Sequence, residues 1–268
     1  SGTMPPVQSL ETTMLTQSIA NDAVFDNFTK LDLSSTALLF DVDGTLIDIG
    51  PTPHDVAVPE ALPDTLRNLY DRTGGAVALV SGRQIHDLDR LFAPLVLPAI
   101  GGHGAEVRRR TGETPARADD LPEDLRRRLA EAASPDSGIV VEDKGYSVTL
   151  HYRMAPSEAE RLRKYIASER AVFPKEATEL LVGKAMFEVR RPGTSKGQAV
   201  RDLMAGPPFA GRTPVFFGDD VTDESVFDIL PSIGGKGFGV GRHFPGAIGI
   251  FREPGDVRAA LQRLAVNR

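Results

Sequence analysis

Thr36-Ala37-Leu38-Leu39-Phe40-Asp41-Val42-Asp43-Gly44-Thr45 is the stretch that decides the fold. Its first five residues form an apolar run, which ends abruptly in two carboxylates and a glycine. Such a run suits a strand buried on both faces of a parallel sheet, with its tip opening onto a polar loop. The pattern returns twice. Ala76–Val80 runs into Ser81-Gly82-Arg83, and Pro214–Phe217 into Gly218-Asp219-Asp220. Between the first two, a helix is expected over about residues 60–72, with Leu62, Leu66 and Leu69 on one face and Gly74-Gly75 as its stop. Another helix starts near Gln84. Strand, helix and strand with polar tips predict an α/β sheet whose site lies outside the carboxyl ends of its strands.

Further along, the style changes. Ala105–Arg110 and Ile139–Val141 read as strands, and Tyr146–Tyr152 alternates so that Tyr146, Val148, Leu150 and Tyr152 share a face. Ala177–Val182 and Ala185–Arg190 flank Gly183-Lys184, a two-residue hairpin turn of the Gly-X kind. Helices are expected over residues 122–133 and 156–170, the second with Leu162, Tyr165 and Ile166 inward. After Pro192-Gly193 the first style resumes, with a helix from Ser195 to about Met204 and others over residues 223–230 and 255–265. Short strands fall near 238–240 and 247–250. The simplest organisation has four parts: a partly mobile lead-in over residues 1–32, a core in two pieces (33–108 and 193–268), and a small α+β module inserted at 109–192.

Four pieces carry charge at strand tips or helix starts. Asp41-x-Asp43-Gly44 alone also fits a metal-binding turn, but not an EF-hand, whose glycine comes sixth and whose twelfth position, here Thr52, is a glutamate. Ser81-Gly82-Arg83 fits a phosphate cradle or a plain turn. Ser195 and Gln198 match a capping box, which places Lys196 in a first helical turn, where it either meets an anion or is merely exposed. In Gly218-Asp219-Asp220-Val221-Thr222-Asp223-Glu224 the acids repel one another unless a cation intervenes, and their hard oxygens suit Mg²⁺. A helix start rich in acids is the competing reading, and it accounts for Asp223 and Glu224 better than for Asp219.

The composition sets limits. A formal net charge of −6 over 268 residues gives no general attraction to nucleic acid or anionic lipid, and the runs Arg108–Arg110 and Arg126–Arg128 read as solvated faces. The absence of cysteine removes disulfides and thiolate chemistry. No apolar run approaches the roughly 20 residues that span a bilayer. Neither a basic nor an apolar leader region follows Met4. A cytoplasmic monomer with no nucleic-acid or membrane partner is expected.

In their order, the four pieces resemble the haloacid dehalogenase-like (HAD) phosphatase superfamily: Asp41-x-Asp43-Gly44-Thr45, Ser81, Lys196, then Gly218-Asp219-Asp220-x-x-Asp223. The resemblance implies a Rossmann-like core and an open-faced α/β cap of the C2B type. It implies Asp41 as nucleophile, forming an aspartyl phosphate, and Asp43 as acid and then base. Mg²⁺ would be held by Asp41, the backbone carbonyl of Asp43, and Asp219, with Asp220, Asp223 and Arg83 in support. Thr45, Ser81, Gly82 and Lys196 would bind phosphoryl oxygens.

Within the superfamily, three segments resemble the trehalose-6-phosphate phosphatase family: Gly101–Glu106, Glu142-Asp143-Lys144 leading into Tyr146–Arg153, and Phe187–Arg190. That resemblance implies a sugar phosphate as substrate, with Glu142, Lys144 and Glu188 on the sugar hydroxyls and Arg153 and His103 as weaker candidates. The alternatives are a sucrose-phosphate or glycosyl-glycerate-phosphate phosphatase, a sugar phosphomutase, and a non-catalytic partner of a trehalose-phosphate synthase. The last is disfavoured because a pseudoenzyme usually loses a charged residue of the site, whereas Asp41, Asp43, Lys196 and Asp219 are all present.

Overall fold

The computed structural model describes residues 25–267. Residues 1–24 of the expected lead-in lie outside the described residues. Residues 25–29 are helical, and Phe28 is buried edge-on against Phe217 at 5.4 Å between centroids.

The apolar runs form the centre of an eight-stranded sheet. In chain order its strands are β1 (Thr36–Phe40), β2 (Val77–Val80), β3 (Ala99–Gly101), β4 (Glu106–Arg108) and β5 (Ala116–Arg117), then β10 (Thr213–Gly218), β11 (Lys236–Val240) and β12 (Gly249–Phe251). The spatial order is β12-β11-β10-β1-β2-β3-β4-β5. Every pairing from β12 to β3 is parallel, and β4 and β5 add antiparallel edges. Both faces are buried, as the unbroken runs require: Leu38 and Phe40 join one apolar cluster, Ala37 and Leu39 the other. Helices α1 (Leu62–Arg72) and α7 (Pro254–Val266) cover the first face; α5 (Lys196–Met204) and α6 (Glu224–Ile229) cover the second. Helix α2 (Ile85–Leu91) follows β2. The fold is α/β with a mostly parallel central sheet. Because β2 lies on one side of β1 and β10 on the other, the strand order reverses at β1, which opens a crevice at the carboxyl ends.

A second, wholly antiparallel sheet is built from β6 (Val140–Asp143), β7 (Ser147–His151), β8 (Glu179–Gly183) and β9 (Met186–Arg190), in the order β6-β7-β9-β8. One face packs Val148, Leu150, Phe187 and Val189 against Leu125 and Leu129 of α3 (Glu123–Ala130) and Leu162 and Ile166 of α4 (Ala159–Ala171). The opposite face carries Ser147, Thr149, Glu188 and Arg190, polar yet buried, because it lies over the tips of the first sheet. Contacts that join the two include Lys144 Nζ to the Gly82 carbonyl at 3.0 Å, Arg117 to the Lys144 carbonyl at 3.0 Å, Arg190 to the His103 carbonyl at 3.5 Å, and the Lys184 N–H to Asp220 Oδ2 at 3.4 Å.

Several local expectations change. The hairpin turn is Lys184-Ala185, not Gly183-Lys184, since Gly183 pairs with Met186 and the positive φ of 58° falls on Ala185. Tyr146 leaves the Val148/Leu150 face and sets its ring beside Gly102, under the Arg117 guanidinium at 5.0 Å. Strand β5 lies inside the 109–192 stretch yet extends the first sheet.

Candidate active site

Asp41 follows the last residue of β1, Ser81 the last of β2, and Asp219 the last of β10. Three neighbouring parallel strands therefore deliver them to one crevice. Lys196 arrives from the first turn of α5, which Ser195 caps by accepting from the Gln198 N–H at 3.0 Å. The Gln198 side chain turns to Asp202 instead of closing a capping box.

Lys196 Nζ donates to Asp41 Oδ1 at 2.8 Å and to Asp223 Oδ1 at 2.7 Å, with all three side chains buried. Asp223 Oδ2 accepts the backbone N–H groups of Asp219 and Asp220, both at 3.0 Å, and so fixes the loop that carries Asp219. Thr45 is fully buried behind the carboxylates and donates toward Asp219 Oδ1 at 3.2 Å and Asp41 Oδ2 at 3.4 Å. Gly44, at φ +85°, leaves room for Asp219, whose Oδ2 would collide with any Cβ there.

Carboxylate oxygens of Asp41, Asp219 and Asp223 lie within 4.8 Å of one another, a group able to hold a metal ion. Three carboxylates against one lysine leave two negative charges, which suits a divalent cation with oxygen ligands. Asp223 already uses both oxygens, so Asp41 and Asp219 are the better placed ligands. Burial pushes the Asp41 carboxyl well above its ordinary range; Lys196 pulls it back and Asp219 adds to the rise. Burial raises Asp219 to about 6, and burial with the Asp41 charge raises Asp223 to about 7. Burial opposes the Lys196 charge, but Asp223 and Asp41 outweigh it and hold the ammonium well above its usual value.

The Arg83 guanidinium grips Asp43 with a fork, Nε to Oδ2 and a terminal nitrogen to Oδ1, both at 2.7 Å. Asp43 is thus held by Arg83 and is not one of the three clustered carboxylates. The Ser81 hydroxyl accepts the Arg83 N–H at 3.0 Å, and Gly82 is beside the His103 ring, which leaves no space for a Cβ. His103 is buried at φ +55°; burial, then Lys196, Lys144 and Arg190, depress its pKa well below the usual value and keep it neutral.

The second sheet forms the roof. Glu142, Lys144, Thr149, His151, Arg153, Lys184 and Met186 line the same cleft as Asp41, Asp43, Ser81, Gly82, Arg83, His103, Lys196, Asp219 and Asp220. Lys144 Nζ reaches Gly82 O, Thr149 Oγ1 at 3.2 Å and Glu188 Oε2 at 3.5 Å. Glu188 is fully buried behind this lining, where Thr149 donates to it at 3.0 Å and His103 Nε2 stands 3.5 Å away. Burial disfavours the Glu142 charge, but the His151 hydrogen bond, Lys144 and Arg83 bring its pKa down to about 2.

Two features of the cleft escaped the sequence reading. Ile49, Gly50, Pro51, Thr52, Pro53 and Val56 form a largely apolar wall, and His151 was not singled out as a site residue. The signal for His151 was its place on the polar side of β7 beside Thr149; for the wall, proline and glycine marked only a loop.

The trehalose-phosphatase family model matches residues 39–243. The chain belongs to that family. It is 39% identical over 241 residues to a probable trehalose-phosphate phosphatase of Sinorhizobium fredii, covering 88% of this chain and 89% of that one. It is also 39% identical over 207 residues to the trehalose-6-phosphate phosphatase of Escherichia coli, covering 76% and 77%. In fold it resembles the C-terminal domain of Candida albicans trehalose-6-phosphate phosphatase, with TM-score 0.77, 23% identity, and 91% and 96% coverage. Every family motif described above falls within the matched residues.

Proposed function

We propose that the protein hydrolyses trehalose 6-phosphate to trehalose and phosphate in two steps on Asp41. The observation that carries this reading is the buried Asp41–Lys196–Asp223 chain beside Asp219, at the switch point of the sheet and beneath a polar roof. Lys196, Ser81 and the Gly82 backbone hold the phosphoryl oxygens, whereas Thr45, expected to join them, is buried outside the cleft lining and holds Asp41 and Asp219 instead. Asp41 attacks phosphorus; the bond to the sugar oxygen breaks, and that oxygen takes its proton from Asp43. A water then gives its proton to Asp43 and attacks phosphorus, releasing phosphate and restoring Asp41. Splitting the transfer in this way replaces one difficult displacement with two easier ones.

Asp41, the Asp43 carbonyl and Asp219 would hold Mg²⁺, which when bound supplies neutralisation of charge on the transferring group. Asp220 and Asp223 steady that loop. Asp43 leaves the Arg83 fork to reach the sugar oxygen. The inserted sheet acts as a cap, with Glu142, Lys144, Arg153 and His103 toward the sugar hydroxyls. Glu188 reaches the sugar only if the cap shifts; in the described arrangement it holds Lys144 and Thr149. The absence of cysteine fits action in the reducing cytoplasm.

Phosphate release from trehalose 6-phosphate, glucose 6-phosphate and sucrose 6-phosphate tests this, with Mg²⁺ and with chelator. Preference for the first, abolished by chelator and by Asp41→Asn, is expected. Preference for another sugar phosphate would leave the chemistry standing and overturn the assignment of the cap residues.

A further inference from the structure

We infer that His151 is a positioning residue that sets the Glu142 carboxylate for the sugar, an inference that rests on the substrate reading above. Glu142 is on β6, the edge strand of the second sheet, with a neighbour on one side only. A long side chain there has rotamer freedom that binding must remove. Lys144 does not remove it. Its three protons point to the Gly82 carbonyl, Thr149 Oγ1 and Glu188 Oε2, and it stays 3.8 Å from Glu142 Oε2.

His151 supplies the restraint. Glu142 pairs with Thr149 across the ladder and His151 with Val140, so the histidine is diagonal to the glutamate on the side that lines the cleft. Its Nε2 meets Glu142 Oε2 at 3.1 Å, the only hydrogen bond to the Glu142 carboxylate among the described residues. With Oε2 fixed, Oε1 is left as acceptor for a sugar hydroxyl in a side chain about a quarter exposed. A donor at the Nε2 position is what matters here, so glutamine can stand in for histidine while alanine cannot. The bonds that hold the phosphoryl centre survive the change, because among the described residues His151 makes no hydrogen bond or ion pair to Asp41, Lys196 or Asp219.

The test compares steady-state kinetics on trehalose 6-phosphate with those on p-nitrophenyl phosphate, an aryl phosphate with no sugar hydroxyls. His151→Ala is expected to raise KM for trehalose 6-phosphate about tenfold, equivalent to about 1.4 kcal/mol, with kcat within threefold. Hydrolysis of p-nitrophenyl phosphate should stay unchanged, and His151→Gln should restore KM to within threefold of the parent. In a Glu142→Ala background, which removes the acceptor, His151→Ala should add nothing further. An unchanged KM in His151→Ala, an equal loss on both substrates, or a glutamine variant as poor as alanine would each overturn the inference while leaving the substrate reading intact. If the parent protein ignores trehalose 6-phosphate, the substrate reading falls and takes this inference with it.

Discussion

Asp41 brings a negative charge into a buried site that already holds Asp219 and Asp223, and its raised pKa records the cost of doing so. Asparagine keeps the shape and an acceptor for Lys196 but removes the nucleophile and one of the repelling charges. Asp41→Asn should therefore lower turnover on the order of a thousandfold or more. The cation-free variant should also melt higher than the parent at pH 7, by about 2–4 °C for each kcal/mol of repulsion relieved. A lower melting temperature would mean that Lys196 depends on the Asp41 charge more than the cluster suffers from it. Gly44 gives a second case. At φ +85°, with Asp219 Oδ2 where a Cβ would go, Gly44→Ala must displace the carboxylate or the turn. Calorimetric titration should show Mg²⁺ bound at least about tenfold more weakly. At this scale the sequence was informative where a charge followed an apolar run, as at Asp41 and Asp219. It could not show that Arg83, 40 residues from Asp43, would fork onto it, because no local spacing encodes that meeting.

Strands β1, β2 and β10 were legible because burial on both faces leaves an unbroken apolar run, and β7 because its two faces differ. Strand β3 was missed: three residues after Leu95-Val96-Leu97-Pro98 are too few to show a period. The hairpin turn moved by one residue because Gly183 is the obvious residue for a positive φ, yet the pairing places that burden on Ala185. Strand β7 also holds a testable element. Its Thr149 hydroxyl joins Lys144 at 3.2 Å to Glu188 at 3.0 Å, both buried charges. Thr149→Val keeps the shape and removes that link, leaving Glu188 Oε2 with only the longer contacts to Lys144 and His103 at 3.5 Å. Denaturant titration should show a loss of about 1–3 kcal/mol, the usual cost of stranding a buried polar group. Unchanged stability would show that the Lys144 and His103 contacts satisfy Glu188 without the hydroxyl.

For the whole molecule, pH, cation and stability are linked through the acidic cluster. Asp219 and Asp223 titrate at about 6 and about 7 when folded, well above an ordinary aspartate at 3.8. Between about pH 4 and 7 these two aspartates hold protons in the folded chain that the unfolded chain has released, so their contribution to stability falls as pH rises through that window. His103, depressed below its ordinary 6.5, opposes them with at most one proton. Glu142 works in the opposite sense: held at about 2, it stabilises the fold above about pH 4.5 and loses that effect only at lower pH, outside the window. A divalent cation needs the aspartates ionised, so its binding expels protons and tightens as pH rises. Differential scanning calorimetry in chelator should show the melting temperature falling from pH 5 to 7.5, and the rise on adding Mg²⁺ should be larger at 7.5 than at 5. Asp223→Asn should flatten the chelator curve, which assigns the slope to the cluster. A chelator curve that is flat or rising in the parent, or a Mg²⁺ effect independent of pH, would mean that the carboxylates are not coupled through one shared cation site. Activity at low pH would then have to be limited by Asp43 and the departing sugar oxygen, not by occupancy of the metal site.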